Sequence, residues 1–489
     1  MLAEKKSGGL VEPMVKTKLL TWGVMMVAAL AGRAAVFTNI YNFTGNYVYP
    51  GTNSDGANPR AGVAASGGVV YGVTQNAGGQ SRGSVFAVHT DGSGFTNLHT
   101  FNTLTGPINT NSDGANPWGG LIVAGGVLYG TAPNGGTGGA GTVFSLGTNG
   151  AGFQTLFSFP AVAMDNQNDT RTNSDGAEPY GRLLLSNNLL YGTALDAGLG
   201  GYGTVFAVNT NGTNFQVLHG FDLTDGSQPN AGVVLAGSNL CGATISGGNL
   251  YGTVFSVSTN GLGFTNTYIF SGPDGYQAYG DLALSGGNLY GTTVYGGTNG
   301  AGDIYAIGTS GAHFGILYSF STVAVNSLGN ATNRDGLNPY TGLLLVGKNL
   351  YGVASAGGHN GYGTVFGIGT NGMGFTTLHS FTVPGGADLT NTDGYSPYGL
   401  LSYYNGTLYG TTEKGGIYGN GSVFGVTIFP TLNITRAGTN SVILSWNDPA
   451  FSLQAATNLT GVYTNVPGAI SPHTNAINGS QLFFRLVAE

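Results

Sequence analysis

Seven Asp-Gly pairs recur at one position of a repeat, beginning at Asp55, Asp113, Asp175, Asp225, Asp274, Asp335 and Asp393. They often read Asn-x-Asp-Gly-x-x-Pro, as in Asn111-Ser112-Asp113-Gly114-Ala115-Asn116-Pro117. Alternating oxygen side chains of this kind can surround Ca²⁺. The twelve-residue calcium loop needs more carboxylates and a closing Glu, both absent here. An Asx-turn, in which the side chain caps nearby backbone N–H groups, explains the pattern with fewer demands. No cofactor is therefore expected, and Ca²⁺ is the one weak candidate. The residue after the Pro is often aromatic: Trp118, Tyr180, Tyr340 and Tyr398, with Tyr279 equivalent. Arg60 and Asn230 take that place in the other two copies. Aromatic faces with polar tips suit sugar rings or a peptide. Packing between repeats would use the same residues, because Tyr is commonly half-buried. The Asp and aromatic sets are both candidate ligand-binding residues.

Catalytic groups are harder to find. His99, His219 and His379 fill one repeat position that holds Tyr41, Phe157, Tyr268 and Tyr318 elsewhere. A position that accepts Phe is not a base or a ligand. His359 stands alone in a Gly-Gly loop. There is no His-Glu-x-x-His, nucleophile elbow or phosphate loop. Glycoside hydrolysis needs two carboxylates at a set separation. Glu178 and Glu413 are the only glutamates in the repeats, although a ring of seven Asp could supply a pair.

These residues sit in a repeated frame. Phe-x-x-(aliphatic or aromatic)-x-x-Phe begins at Phe37, Phe95, Phe153, Phe215, Phe264, Phe314 and Phe375, at intervals of 58, 58, 62, 49, 50 and 61 residues. Leu-Tyr-Gly or a variant places Tyr71, Tyr129, Tyr191, Cys241, Tyr290, Tyr351 and Tyr409. Gly-Thr-Val-Phe or a variant ends at Phe86, Phe144, Phe206, Phe255, Tyr305, Phe366 and Phe424. In the third copy, residues 181–185, 189–193, 203–208 and 215–221 read as strands, with Asn211-Gly212 as a turn. Four short strands per unit is the pattern of a propeller blade. The first motif met is a fourth strand, residues 37–43, and the last is a third strand, residues 422–427. The spacing predicts an all-β, seven-bladed β-propeller whose last blade is closed by the N-terminal strand, which removes an exposed edge. In that arrangement the Asp-Gly and Gly-Gly loops share one face, where function tends to sit.

Composition agrees. Charged residues make up 7% of 489, against 90 Gly, 26 Tyr and 25 Phe. The net charge is −7, which disfavours nucleic acid and anionic membranes as partners. Cys241 is the one cysteine, so no intrachain disulfide forms. Lys16 and Lys18 precede an apolar run from Leu19 to Leu30, with small residues after it. This reads as a signal peptide over residues 1–34, its start at Met1 or Met14, and leaves no membrane span after processing. Its removal takes five basic and two acidic residues and leaves the chain more acidic.

Leu350-Tyr351-Gly352, Gly357-Gly358, Gly363-Thr364-Val365-Phe366, Thr370-Asn371-Gly372 and Phe375 to Phe381 resemble the GloVer (Gloeo_Verruco) repeat of secreted bacterial proteins. The resemblance covers about residues 36–427. It implies export, often a surface-sorting C-terminus, and no known activity. The order of strands is also loosely kelch-like. Cys241 and Tyr305 depart from the pattern, and the fourth copy is shortened. Residues 430–489 lack the motifs and resemble a small fibronectin-III-like β-sandwich module. The expected protein is secreted or at the cell surface, monomeric and non-enzymatic. It acts as a scaffold for carbohydrate, a cell-surface protein or envelope assembly. The alternative is a hydrolase or lyase of extracellular polysaccharide.

Overall fold

A computed structural model of the chain describes residues 15–19, 25–28, 35–45, 53–165, 170–386, 388–428, 432–437, 441–446, 451–457, 462–476 and 481–488. Most of the expected leader, and the boundary at residues 429–430, lie outside them. Among the described residues every regular element is a strand, and no helix is long and apolar enough to cross a membrane. The chain divides into two compact units. One is Phe37–Tyr404 with Leu408–Val426, and the other holds the remaining segments.

The larger unit is built on seven antiparallel sheets of four or five strands, one per repeat, with two-stranded ribbons at Ala163–Asp165/Thr170–Thr172 and Ala324–Val325/Ala331–Thr332. The third is representative: Leu184–Ser186, Leu189–Ala194, Thr204–Asn209 and Gln216–Gly220 pair in sequence order. The two middle strands are almost wholly buried, which is why they read as continuous apolar runs without alternation. The first strand begins three residues later than the sequence pattern suggests. Gly181 is held out of the ladder because its carbonyl accepts a hydrogen bond from Thr131 Oγ1 of the preceding sheet. In the seventh sheet the fourth strand is Val36–Asn42, from the opposite end of the array, paired with Ser422–Thr427.

Two recurring contacts account for the motifs. The Gly of Leu-Tyr-Gly lies under the last ring of Gly-Thr-Val-Phe. A Cβ on Gly192 would stand 2.5 Å from Cζ of Phe206, and Gly72, Gly130, Gly242, Gly352 and Gly410 meet their Phe in the same way. Neighbouring sheets are joined by face-to-face rings with centroids 3.6–4.0 Å apart: Tyr41 on Phe95, His99 on Phe153, Phe157 on Phe215, His219 on Phe264, Tyr268 on Phe314, and Tyr318 on Phe375. The seventh pair, His379 with Phe37 at 3.9 Å, brings the series back to the strand it started from. Backbone bonds follow the same course. Asn116 N donates to Arg82 O, the equivalent N–H in each later repeat does likewise, and Asn58 N donates to Asn420 O.

The fifth repeat breaks the pattern twice. Tyr305 replaces Phe, and Asp303 replaces the Ser or Thr found at Ser84, Thr142, Thr204, Thr253, Thr364 and Ser422. Both are fully buried, and the Tyr305 hydroxyl and one Asp303 oxygen have no hydrogen-bond partner among the described residues. The other Asp303 oxygen accepts from Ser319 Oγ at 2.5 Å. Burial pushes the Asp303 carboxyl up, aided by the Asp274 charge and opposed by Ser319. A folded-state pKa above the unfolded value gives stability that is full in acid and lost as pH rises through the folded pKa. Asp303→Thr is therefore expected to stabilise the protein at neutral pH by about 1–3 kcal/mol, the penalty of a buried unsatisfied polar group. The gain should shrink in acid. Thermal melts across pH check this, and an equal gap between variant and parent at every pH would contradict it.

In the second unit, Asn433–Arg436, Ser441–Ser445 and His473–Ala476 form one sheet. Phe451–Ala456, Thr464–Asn465 and Gln481–Ala488 form another, which Val15–Leu19 and Met25–Ala28 extend. Val442, Leu444, Trp446, Leu453 and Phe484 share one buried core drawn from both sheets.

Candidate functional site

The recurring loops are joined in pairs within each repeat. Asn111 Oδ1 accepts from Gly114 N at 2.9 Å and from Gly136 N at 2.8 Å, which ties the Asp-Gly loop to the Gly-Gly loop of the same repeat. Asn53, Asn173, Asn333 and Asn391 do the same. The Asx-type cap thus belongs to the Asn of the motif. The aspartates have another task. Six of them bind the polar tip of an outer-strand residue at 2.5–3.0 Å: Asp55 with Tyr41, Asp113 with His99, Asp225 with His219, Asp274 with Tyr268, Asp335 with Tyr318, and Asp393 with His379. Each also accepts a backbone N–H just beyond that strand, such as Asn102 N on Asp113. In the third repeat the outer-strand residue is Phe157, which has no polar tip to offer Asp175. None of the seven aspartates lines the central cavity. Among the described residues no three His, Cys, Asp or Glu side chains come together to hold a metal.

The post-proline residues do converge. Arg60, Trp118, Tyr180, Asn230, Tyr279, Tyr340 and Tyr398 line one cavity of about 460 Å³, counting its open mouth. Each of the seven sheets contributes one of them, because the chain turns inward after Pro to start its first strand. The rings are half-buried against one another: Trp118 and Tyr180 meet edge to face at 5.5 Å, and so do Tyr279 and Tyr340 at 5.2 Å. They therefore both pack the sheets together and present surface to the cavity. Arg60 lies over Trp118 at 4.8 Å and Tyr398 at 5.5 Å, and pairs with buried Glu413.

Two residues of the site escape the motif reading. Two positions beyond each post-proline residue stand Gly62, Gly120, Arg182, Gly232, Asp281, Gly342 and Leu400. Where most repeats have Gly, Arg182 and Asp281 bring opposite charges to the same cavity. Arg182 Nε donates to Leu121 O at 3.4 Å, and Asp281 Oδ1 accepts from Gly232 N at 2.7 Å. Burial pushes the Asp281 carboxyl up, while the Arg182 charge and the Gly232 N–H pull it down. Aligning the repeats by column would have exposed both residues. A repeated scaffold thus holds one position-specific pair: a cation and a carboxylate among aromatic rings. Such a cavity can bind a small polar ligand through stacking and directed hydrogen bonds.

Several solved structures are similar at low identity. An oligogalacturonate lyase from Vibrio parahaemolyticus is 8% identical, covering 81% of this chain and 98% of its own, with a TM-score of 0.44. A chain of a nidogen/laminin complex is 16% identical, covering 62% and 90%, at 0.34. A puromycin hydrolase is 11% identical, covering 80% and 59%, at 0.44. No curated protein matches the sequence. A model of the Gloeobacter/Verrucomicrobia repeat matches residues 21–172 and 166–330, more than half of the sequence, and the protein belongs to that repeat family.

Proposed function

We propose that this is an exported, non-enzymatic scaffold: a closed seven-bladed propeller over residues 35–429 that binds carbohydrate in its central cavity. In this reading residues 1–34 are a leader, and residues 430–489 are an adaptor module of fibronectin-III type. The ring of stacked pairs that returns from His379 to Phe37 supports closure. The observation that carries the function is the meeting of five aromatic rings, Arg182 and Asp281 in one cavity. Sugar rings offer C–H faces to aromatic side chains and hydroxyl groups to charged ones.

A glycan array compares the mature protein with the triple variant Trp118→Ala/Tyr180→Ala/Tyr340→Ala and with Asp281→Asn. The triple variant is expected to lose its glycan signals. Asp281→Asn should weaken them about tenfold or more, as removal of a charged hydrogen-bonding partner does. Unchanged binding by both variants would refute the site.

The second reading is a hydrolase or lyase. One observation favours it: the Asp281 carboxyl, raised by burial beside Arg182, is the kind of perturbed acid that catalysis uses. Among the described residues Asp281 is the one carboxylate lining the cavity, whereas glycoside hydrolysis takes two. Release of reducing or unsaturated ends from polysaccharides would promote this reading over binding alone.

A further inference from the structure

We infer that the cavity is the inner end of a groove for a neutral oligosaccharide chain, whose outer units run over Tyr295, Tyr276 and Tyr251; this rests on the carbohydrate reading above. Three observations lead there. The connections before the Asp-Gly pairs are shortest in the fourth and fifth repeats. Three residues separate Phe221 from Asp225 and Phe270 from Asp274, whereas eleven to fifteen separate the corresponding residues in the other repeats.

The same sector carries a run of linked tyrosines. Tyr251, 39% exposed, meets Tyr276 at 5.8 Å. Tyr276 lies nearly parallel to Tyr295 at 5.4 Å. The Tyr295 hydroxyl is 3.2 Å from that of Tyr340, which lines the cavity. The run therefore leads from the rim of the face to the mouth of the site. Tyr295 departs from the repeat, standing where other copies have Asn76, Asn134, Asp196, Ser246, Ala356 or Lys414, and Tyr276 takes a place that holds Ala57, Ala115, Ala177, Ser227 or Leu337 elsewhere and an aromatic only at Tyr395. The frame does not need an aromatic ring at either place.

Charge selects the class of occupant. No Lys or Arg lies between Arg182 and Arg334, a stretch that contains the whole fourth and fifth repeats. Outside the cavity, where Arg60 and Arg182 stand, these two repeats offer a polyanion no Lys or Arg, on which its binding relies. Half-exposed tyrosines offer flat apolar faces and hydroxyl edges, which match the two surfaces of an uncharged sugar.

The test is titration calorimetry with ladders of β-1,4-glucan, β-1,3-glucan and mannan oligomers, from mono- to hexasaccharide, and with a uronic-acid ladder of the same lengths. Affinity for one neutral ladder is expected to rise with length. Tyr251→Ala and Tyr276→Ala should each weaken the hexasaccharide about tenfold, in line with loss of one aromatic contact, and leave the disaccharide unchanged. Tyr251→Phe should retain most of the hexasaccharide affinity. Trp118→Ala should weaken every length. If Trp118→Ala acts while Tyr251→Ala and Tyr276→Ala do not, the groove is wrong and the cavity reading stands. If the uronic-acid ladder binds more tightly, the neutral class is wrong. If the parent protein binds none of the ladders, both readings fall.

Discussion

A chain lacking residues 37–43 is expected to lose its cooperative thermal transition. That segment carries Phe37, Tyr41 and Phe43. Phe37 stacks on His379 and lies 5.6 Å from Phe424; Tyr41 stacks on Phe95; and Phe43 is fully buried, edge-on to Phe86 at 5.2 Å. One short strand thus packs against the sixth, seventh and first sheets. Truncating a buried Phe costs about 3–5 kcal/mol, and a whole domain is stable by only about 5–15 kcal/mol. Losing three aromatic side chains with a ladder of backbone bonds consumes most of that margin. It also bares the edge of Ser422–Thr427, an open template for aggregation. Scanning calorimetry on the truncated and parent proteins gives the answer. A synthetic peptide of residues 36–44 added in trans should restore part of the transition, because the vacated edge is specific to it. A truncated protein that melts within about 1 °C of the parent, a shift worth roughly 1 kcal/mol in a domain of this size, would show that the N-terminal strand does not hold the array together.

Much of this frame was legible in the sequence because each strand carries its own signature and occurs seven times. Leu189–Ala194 and Thr204–Asn209 lie where the apolar runs put them. The pairing of residues 37–43 with the last repeat followed from the order of motifs alone. The site was half legible. The post-proline residues share a repeat position, so Trp118 and Tyr180 could be grouped before their convergence on one cavity was seen. The roles of Asn and Asp were not separable in the same way. Asn111 reaches Gly136, in another loop, and Asp113 reaches His99, on another strand. Such contacts leave no local pattern. Arg182 and Asp281 were missed for a different reason. A motif search attends to what repeats, and these two matter because they do not. The same holds for Tyr295, whose column is filled elsewhere by small or polar residues.

Phe206→Ala is expected to destabilise the larger unit by about 3–5 kcal/mol, the usual cost of emptying a buried Phe site. Phe206 is fully exposed to neighbours and closed to solvent, packed on Phe159 and Phe215 as well as over Gly192. Gly192→Ala should cost about 3 kcal/mol for the opposite reason. The added methyl would meet Phe206 Cζ at 2.5 Å, Leu183 Cδ2 at 2.9 Å and Phe206 Cε1 at 3.0 Å, and overpacking of a tight core costs about 1–3 kcal/mol or more. The double variant separates this contact from general damage. With the ring gone, the methyl enters the space it left, so Gly192→Ala in the Phe206→Ala background should cost little or even recover stability. Urea denaturation of the four proteins should therefore give a coupling of about 3 kcal/mol, at the upper end for residues in contact. Strict additivity would mean that Gly192 is required for its backbone and not for the ring above it. The same Gly–aromatic contact recurs in the other six repeats, so a coupling found once explains why the Tyr-Gly and Val-Phe motifs travel together along the chain.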